Sequence, residues 1–390
     1  MPVLALVGVS TYLGPANAPA SAPAMTLADC PLKLGGDLNA PTWADTRLGF
    51  RRVWPITQGA GVRVAVIDSG VSQTVPQLKG IHYSDALNVL NKKAPVYDCT
   101  NHGTGVTAII AGQPAGTPFS GVAPKATIIP IKMSDSEENT KGTTALAAAI
   151  RAAVDAHARV ANLSVYVNSP DAGVRSAVEY AQAHHLILVC AGGNAGTGNN
   201  QPTYPAAWSG TYDNIIAVSA TDQQDSAANF SESGHYIDVA APGDDVITPY
   251  SGGGFGKQSG TSFATPYVTG TVALMLQAHP GMTPEQVRNR LEATADPPPA
   301  AVPDAKYGYG VIDPYLAVTA VRSDTPVAKS TARAAPLPAL PVPKATDRHL
   351  QHLALALAAG LIGLAVVIAA AATVLRSSRR TARQPFARRS

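Results

Sequence analysis

Three residues of types suited to nucleophilic catalysis stand at glycine-flanked junctions: Asp68 in Asp68-Ser69-Gly70, His102 in Asn101-His102-Gly103-Thr104-Gly105, and Ser262 in Gly260-Thr261-Ser262-Phe263. Ser262 follows a Gly-rich turn, Ser251 to Gly260, and opens the apolar run Phe263 to Leu276, which places its hydroxyl where a loop becomes a helix. The helix dipole and the free N–H groups at such a start favour negative charge. A hydroxyl there suits attack on an acyl carbon, because the oxyanion that forms can be stabilised beside it. If the three residues converge, His102 takes the proton from Ser262 as general base, while Asp68 holds the imidazole tautomer and offsets its charge. Asn194, in Ala191-Gly192-Gly193-Asn194, can offer its amide as a donor to the oxyanion. Each residue also has an ordinary alternative: Ser262 or Asp68 as a helix cap, His102 as a structural surface histidine, Asn194 as a turn residue. Their joint occurrence in this order favours the chemistry.

Positioning these groups requires elements that end on one edge. The run Val62 to Ile67 is short, apolar and β-branched, as expected of a strand buried on both faces and ending at Asp68. Further strands are predicted at Thr127 to Ile131, Val160 to Val165, Leu186 to Ala191, Ile215 to Ser219 and Tyr236 to Ala240. Helical stretches fall between them, at Val106 to Ala111, Thr143 to His157 and Ala172 to His185, and Thr283 to Thr294 follows as a surface helix with Pro284 in its first turn. Strands alternating with helices of this length indicate an α/β fold with a mainly parallel sheet covered on both sides. In such a sheet, ligands bind at the carboxyl ends of the strands. No Gly-x-Gly-x-x-Gly fingerprint follows the first strand, which argues against a dinucleotide site.

The chain of 390 residues suits one large domain with appendages. Its net charge of +3 is unevenly spread, since six arginines lie in the acid-free segment 376–390; without them the remainder carries −3. The body therefore has no basic excess for nucleic acid. Residues 353–375 carry no charged side chain, long enough for a tilted membrane-spanning helix, and the arginines that follow predict a cytoplasmic tail with the body outside. Residues 1–24 read as a signal-like segment without a basic n-region, as if the true start lay further upstream. Residues 25–53 form an N-terminal extension, 54–322 the catalytic domain, and 323–352 a Pro/Ala-rich linker reading as a semi-extended stalk. Three cysteines in an exported chain imply one disulfide and one free thiol. Cys190 ends an apolar run and reads as core, leaving Cys30 to pair with Cys99, a closure of roughly 4 kcal/mol on loop-entropy grounds.

The segments Val64-Ala65-Val66-Ile67-Asp68-Ser69-Gly70, His102-Gly103-Thr104-Gly105-Val106, Ala191-Gly192-Gly193-Asn194 and Gly260-Thr261-Ser262-Phe263-Ala264-Thr265-Pro266 together resemble the subtilisin-like serine proteases, over about Trp54 to Val318. The resemblance implies a three-layer subtilisin-like fold and hydrolysis of peptide bonds in protein substrates through an acyl-enzyme. It implies Asp68, His102 and Ser262 as catalytic residues, Asn194 at the oxyanion, and Leu163, Ser164, Val165 and Gly192 at the substrate. The strand Asn162-Leu163-Ser164-Val165 resembles the edge that pairs with substrate. Tyr166 and Val167 follow where relatives often have glycine, so Tyr166 is expected to fill part of a side-chain pocket. The order of signal-like segment, extension, protease domain, stalk, hydrophobic helix and basic tail looks like the mycosins, membrane-anchored proteases of type VII secretion systems. That implies a membrane-embedded secretion complex as partner. The extension is too short for a globular inhibitory pro-domain. The loop Gln113 to Ser120 has no carboxylate, so no obligatory calcium, no other metal and no cofactor are expected. Two other readings stay open: a structural cap or scaffold of a secretion complex, and a general degradative protease.

Overall fold

The computed structural model of the protein describes residues 30–135, 142–196, 200–299, 301–321 and 348–381. The signal-like segment, most of the linker and most of the basic tail lie outside the described residues.

In chain order the elements are α1 (Trp43–Leu48), β1 (Arg63–Asp68), two short strands β2 (His82–Tyr83) and β3 (Leu87–Asn88), α2 (His102–Ala111), β4 (Thr127–Lys132), α3 (Gly142–Asp155), β5 (Val160–Leu163), α4 (Ala172–Ala183), β6 (Ile187–Ala191), β7 (Ile215–Thr221) and β8 (Val239–Pro242). A hairpin of β9 (Val246–Pro249) and β10 (Phe255–Gln258) precedes α5 (Thr261–Ala278), α6 (Pro284–Thr294) and α7 (Pro314–Thr319). These elements belong to one compact unit; a second, beginning at Ser330, contains α8 (Arg348–Thr381).

The main sheet runs β2-β4-β1-β5-β6-β7-β8, with β3 also on β4, and its pairings are parallel. Successive strand side chains point to opposite faces, and β1 divides accordingly. Val64 and Val66 join the core beneath α2 and α5, whereas Ala65 and Ile67 join the core beneath α3 and α4. The result is the expected three-layer α/β arrangement. Every residue of α5 from Thr261 to Leu276 is buried, which is why its sequence is apolar on all sides. Two of the other helices start at clear side-chain caps: Asp171 accepts from Val174 N–H for α4, and Thr283 with Gln286 forms a capping box for α6.

Register sets the rim of the sheet. Ile67 of β1 pairs with Leu163 of β5, and Leu163 pairs with Cys190 of β6. Asp68, Ser164 and Ala191 therefore emerge at the same level at the carboxyl end of the sheet.

Several boundaries differ from expectation. The strand expected at Tyr236 to Ala240 begins only at Val239, because Ile237 N–H is turned back to Gly234 O and the Tyr236 hydroxyl donates to Gly192 O. β5 stops at Leu163, where the chain leaves the sheet toward the rim. The hairpin β9–β10 was not foreseen. The N-terminal extension docks on it, with Gly36 N–H donating to Phe255 O at 2.9 Å and Phe255 N–H to Gly36 O at 2.8 Å. The Cys30–Cys99 disulfide is formed, Cα atoms 4.6 Å apart, and Cys190 is buried and free.

The expected membrane span at 353–375 lies within α8. Among the described residues, however, no helix is long and apolar enough to cross a membrane.

Candidate active site

Asp68 is delivered as the last residue of β1 and His102 as the first of α2. His102 Nδ1 lies 2.7 Å from Asp68 Oδ1. A carboxylate accepts, so Nδ1 carries the proton in this bond; in the neutral imidazole this leaves the lone pair on Nε2, the form a general base needs. The imidazole packs on the Phe263 ring with centroids 4.9 Å apart. Close approach of α2 to β1 requires Gly103: a Cβ there would run into the Gly70 carbonyl and lie 3.0 Å from Asp68 Oδ1.

The start of α2 is held by a residue the sequence reading passed over. Asn101 sits in the left-handed region and makes no side-chain cap. Buried Asp98 does the capping from upstream, accepting from the N–H groups of Thr100, Asn101 and Thr104 and from the hydroxyls of Ser69, Thr100 and Thr104. Ser69 in turn accepts from Gly103 N–H at 3.0 Å, and its own N–H donates to Asp68 Oδ1 at 2.7 Å. Below the rim, the buried Lys132 ammonium donates to the carbonyls of Ser69 and Tyr97 and pairs with Asp135 at 3.0 Å. A negative residue four positions before His102, within an Asx-type turn, was the available signal.

Ser262 lies in the first turn of α5 and is 5% exposed. Four residues on, Pro266 has no N–H, so the Ser262 carbonyl lacks its intrahelical donor. Ser164 replaces that donor, its hydroxyl reaching Ser262 O at 2.6 Å. Ser164 itself accepts from Asn162 Nδ2 at 2.8 Å, and Thr269 donates to Asn162 Oδ1 at 2.9 Å. This buried relay joins β5 to α5 and sets the main chain of the serine.

Asn194 follows β6. Its Oδ1 accepts from Thr261 N–H at 2.8 Å and from the Thr261 hydroxyl at 2.9 Å, which fixes the amide and leaves Nδ2 as the outward donor. A Cβ placed on Gly260 would lie 2.8 Å from Ser262 Oγ and 3.4 Å from Asn194 Nδ2, so the two atoms flank one point in space.

Asp68, His102, Asn194 and Ser262 line a single cavity of about 550 Å³, together with Ser164 and Val165. Leu163 is fully buried in the core, Gly192 has its carbonyl taken by Thr203 and Tyr236, and neither is among the residues lining this cavity. Among the described residues no group of three or more His, Cys, Asp or Glu could hold a metal ion. An imidazole oriented by a carboxylate, a buried hydroxyl at the cavity and a fixed amide donor in one cleft form a set able to carry out acyl transfer.

Comparison with known proteins agrees with this geometry. Residues 59–310 match the subtilase family, the S8 peptidases. Thermitase of Thermoactinomyces vulgaris is 35% identical over 267 residues, covering 66% of this chain and 91% of its own. Mycosin-4 of Mycobacterium tuberculosis (strain ATCC 25618 / H37Rv) is 33% identical over 377 residues, covering 84% of this chain and 81% of its own. Among solved structures, the serine protease MycP1, described as an essential component of the type VII (ESX-1) secretion system, superposes with a TM-score of 0.65 at 29% identity, covering 74% of this chain and 92% of its own.

Proposed function

The chain belongs to the subtilase family of serine endopeptidases and is a homologue of the mycosins, and from this premise we propose that Asp68, His102 and Ser262 act as its catalytic triad. The observation that carries this reading is the 2.7 Å bond from His102 Nδ1 to Asp68, made in the same cavity that holds Ser262 and Asn194. A substrate strand lies along Ser164 and Val165, paired through main-chain hydrogen bonds. Ser262 Oγ attacks the scissile carbonyl as His102 Nε2 takes its proton, and Asn194 Nδ2 donates to the oxyanion. The imidazolium returns the proton to the leaving amine, the C–N bond breaks, and water then releases the acyl group by the same route.

We further propose that the enzyme works outside the cytoplasm, held at a membrane through 353–375 and associated with a type VII secretion complex. Support comes from 23 uncharged positions followed by the arginine-rich 376–390, and from mycosin relatives. The full-length protein should react with a fluorophosphonate at Ser262, and Ser262→Ala should abolish labelling while the protein stays folded. An unlabelled wild type would remove the protease reading. Secretion that survives Ser262→Ala but fails on deletion of 353–390 would instead favour a scaffold role.

A further inference from the structure

The strands β5 and β6 are neighbours, and beyond their ends the segments Ser164–Val167 and Ala191–Asn194 run on along the rim. A residue whose carbonyl lies between Ser262 Oγ and Asn194 Nδ2, with its main chain against Ser164 and Val165, must send its side chain into the gap between these two segments. That gap is shut. The far end is tied off by a pair of main-chain bonds, Val167 N–H to Tyr204 O at 3.0 Å and Tyr204 N–H to Val167 O at 2.9 Å. Across the gap the Tyr166 phenol oxygen accepts from the Asn194 main-chain N–H. Tyr166 also lines the cavity that holds Ser262 and Asn194, so its side chain stands at the mouth of this gap.

Behind this ring the wall carries a buried acid. Glu232 is 3% exposed, and its Oε2 has no hydrogen-bond partner. Its N–H donates to Gly193 O at 3.0 Å, and its carboxylate lies against the Cα of Gly193, so close that a Cβ there would collide with Oε2. Thr203 borders the same point, its methyl 2.7 Å from that Cβ position. Glu232 thus sits against Gly193 while Tyr166 reaches the next residue, Asn194; burial pushes both the Glu232 carboxyl and the Tyr166 phenol up, and the Glu232 charge adds to the rise of the phenol.

We infer that Tyr166 closes the pocket for the side chain on the acyl side of the scissile bond, so that this peptidase cleaves after small residues, with Glu232 beneath it as a latent site for a cationic side chain. This rests on the protease reading above and deepens it. Closure restricts the acyl-side residue to alanine, serine or glycine. Removing the ring uncovers a buried carboxylate with no cation paired to its free oxygen Oε2, which attracts lysine or arginine.

The test uses the full-length protein in detergent micelles with fluorogenic peptides that differ only at the acyl-side residue: alanine, phenylalanine or lysine. Wild type should favour alanine over both others by at least about tenfold in kcat/KM, the scale on which pocket size discriminates. Tyr166→Gly should raise kcat/KM for phenylalanine and lysine, and Tyr166→Gly combined with Glu232→Gln should lose the gain for lysine while keeping that for phenylalanine. Tyr166→Phe, which keeps the ring, should retain the alanine preference. Wild type that cleaves after lysine or phenylalanine as well as after alanine overturns the inference, even if Tyr166→Gly fails to fold. So does a folded Tyr166→Gly with an unchanged profile. Fluorophosphonate labelling separates the two levels: a labelled enzyme with the wrong profile sinks the closed pocket alone, whereas an unlabelled wild type sinks the protease reading beneath it.

Discussion

The Ser164 hydroxyl donates to the Ser262 carbonyl at 2.6 Å, across 98 residues of sequence. It does so because Pro266 cannot, and the edge proposed to receive substrate thereby also sets the backbone of the proposed nucleophile. Ser164→Ala would leave the Ser262 carbonyl and the Asn162 amide without this partner. We expect a loss of about 1–3 kcal/mol in stability, the cost of an unpaired buried group. A larger proportional loss is expected in kcat than in KM, measured by urea denaturation and by steady-state peptide hydrolysis. Unchanged kcat in a folded Ser164→Ala protein would show that the contact has no part in positioning.

Asn194 uses one end of its amide on Thr261 and offers the other to the cavity. Asn194→Asp keeps the acceptor and removes the donor. Turnover should fall by about 10²–10³, the effect measured on loss of one such donor in a subtilisin, with the thermal midpoint nearly unchanged. Near wild-type turnover would remove Asn194 from the chemistry.

Asp98 gathers three main-chain N–H groups and three hydroxyls around the start of α2. Asp98→Ala should destabilise the protein by roughly 3 kcal/mol or more, since several buried donors lose their acceptor together. In protein that remains folded, Ser262 should label more slowly, because the His102 turn is loosened. Chemical denaturation and labelling rates check the two effects separately.

Burial pushes the carboxyl of Asp238 up to about 7, against the opposing charge of Arg288. The folded state therefore holds a proton that the unfolded chain, with its carboxyl near about 4, has released. Stability from this group is greatest below the unfolded value and is lost as pH rises from about 4 to about 7. Asp45, raised to about 6 by burial, acts in the same direction. The fall in unfolding midpoint between acidic and neutral buffer should thus be smaller in Asp238→Asn than in wild type. A parallel profile for the two proteins would show that Asp238 does not titrate in this range.

Reduction of the Cys30–Cys99 bridge releases the extension from the loop that leads to His102. Stability should drop by roughly 4 kcal/mol on loop-entropy grounds. A calorimetric scan of Cys30→Ser beside the reduced wild type checks this, and matching midpoints with and without reductant would exclude a stabilising bridge.

What the sequence determined by itself was local in origin. The apolar runs of β1, β4, β5, β6 and β7, the helices between them and the glycine junctions at Asp68, His102 and Ser262 all follow from propensities and spacings within a few residues, and the structure places them nearly where expected. The disulfide was legible because three cysteines leave few choices. Tertiary structure alone decided which groups meet. It set the register that levels Asp68 with Ser164, the capping of α2 by Asp98, the tie from Ser164 to Ser262, and the seat of Glu232 behind Gly193. The last two contacts join residues far apart in the chain, and all four use polar side chains that carry no periodic signal. The start of β8 was misplaced for the same reason, since a hydroxyl bond from Tyr236 to Gly192 outweighed a local strand pattern. Short-range preferences fix elements and their ends, whereas complementary hydrogen-bonding groups find one another only once packing has brought those ends to a common rim.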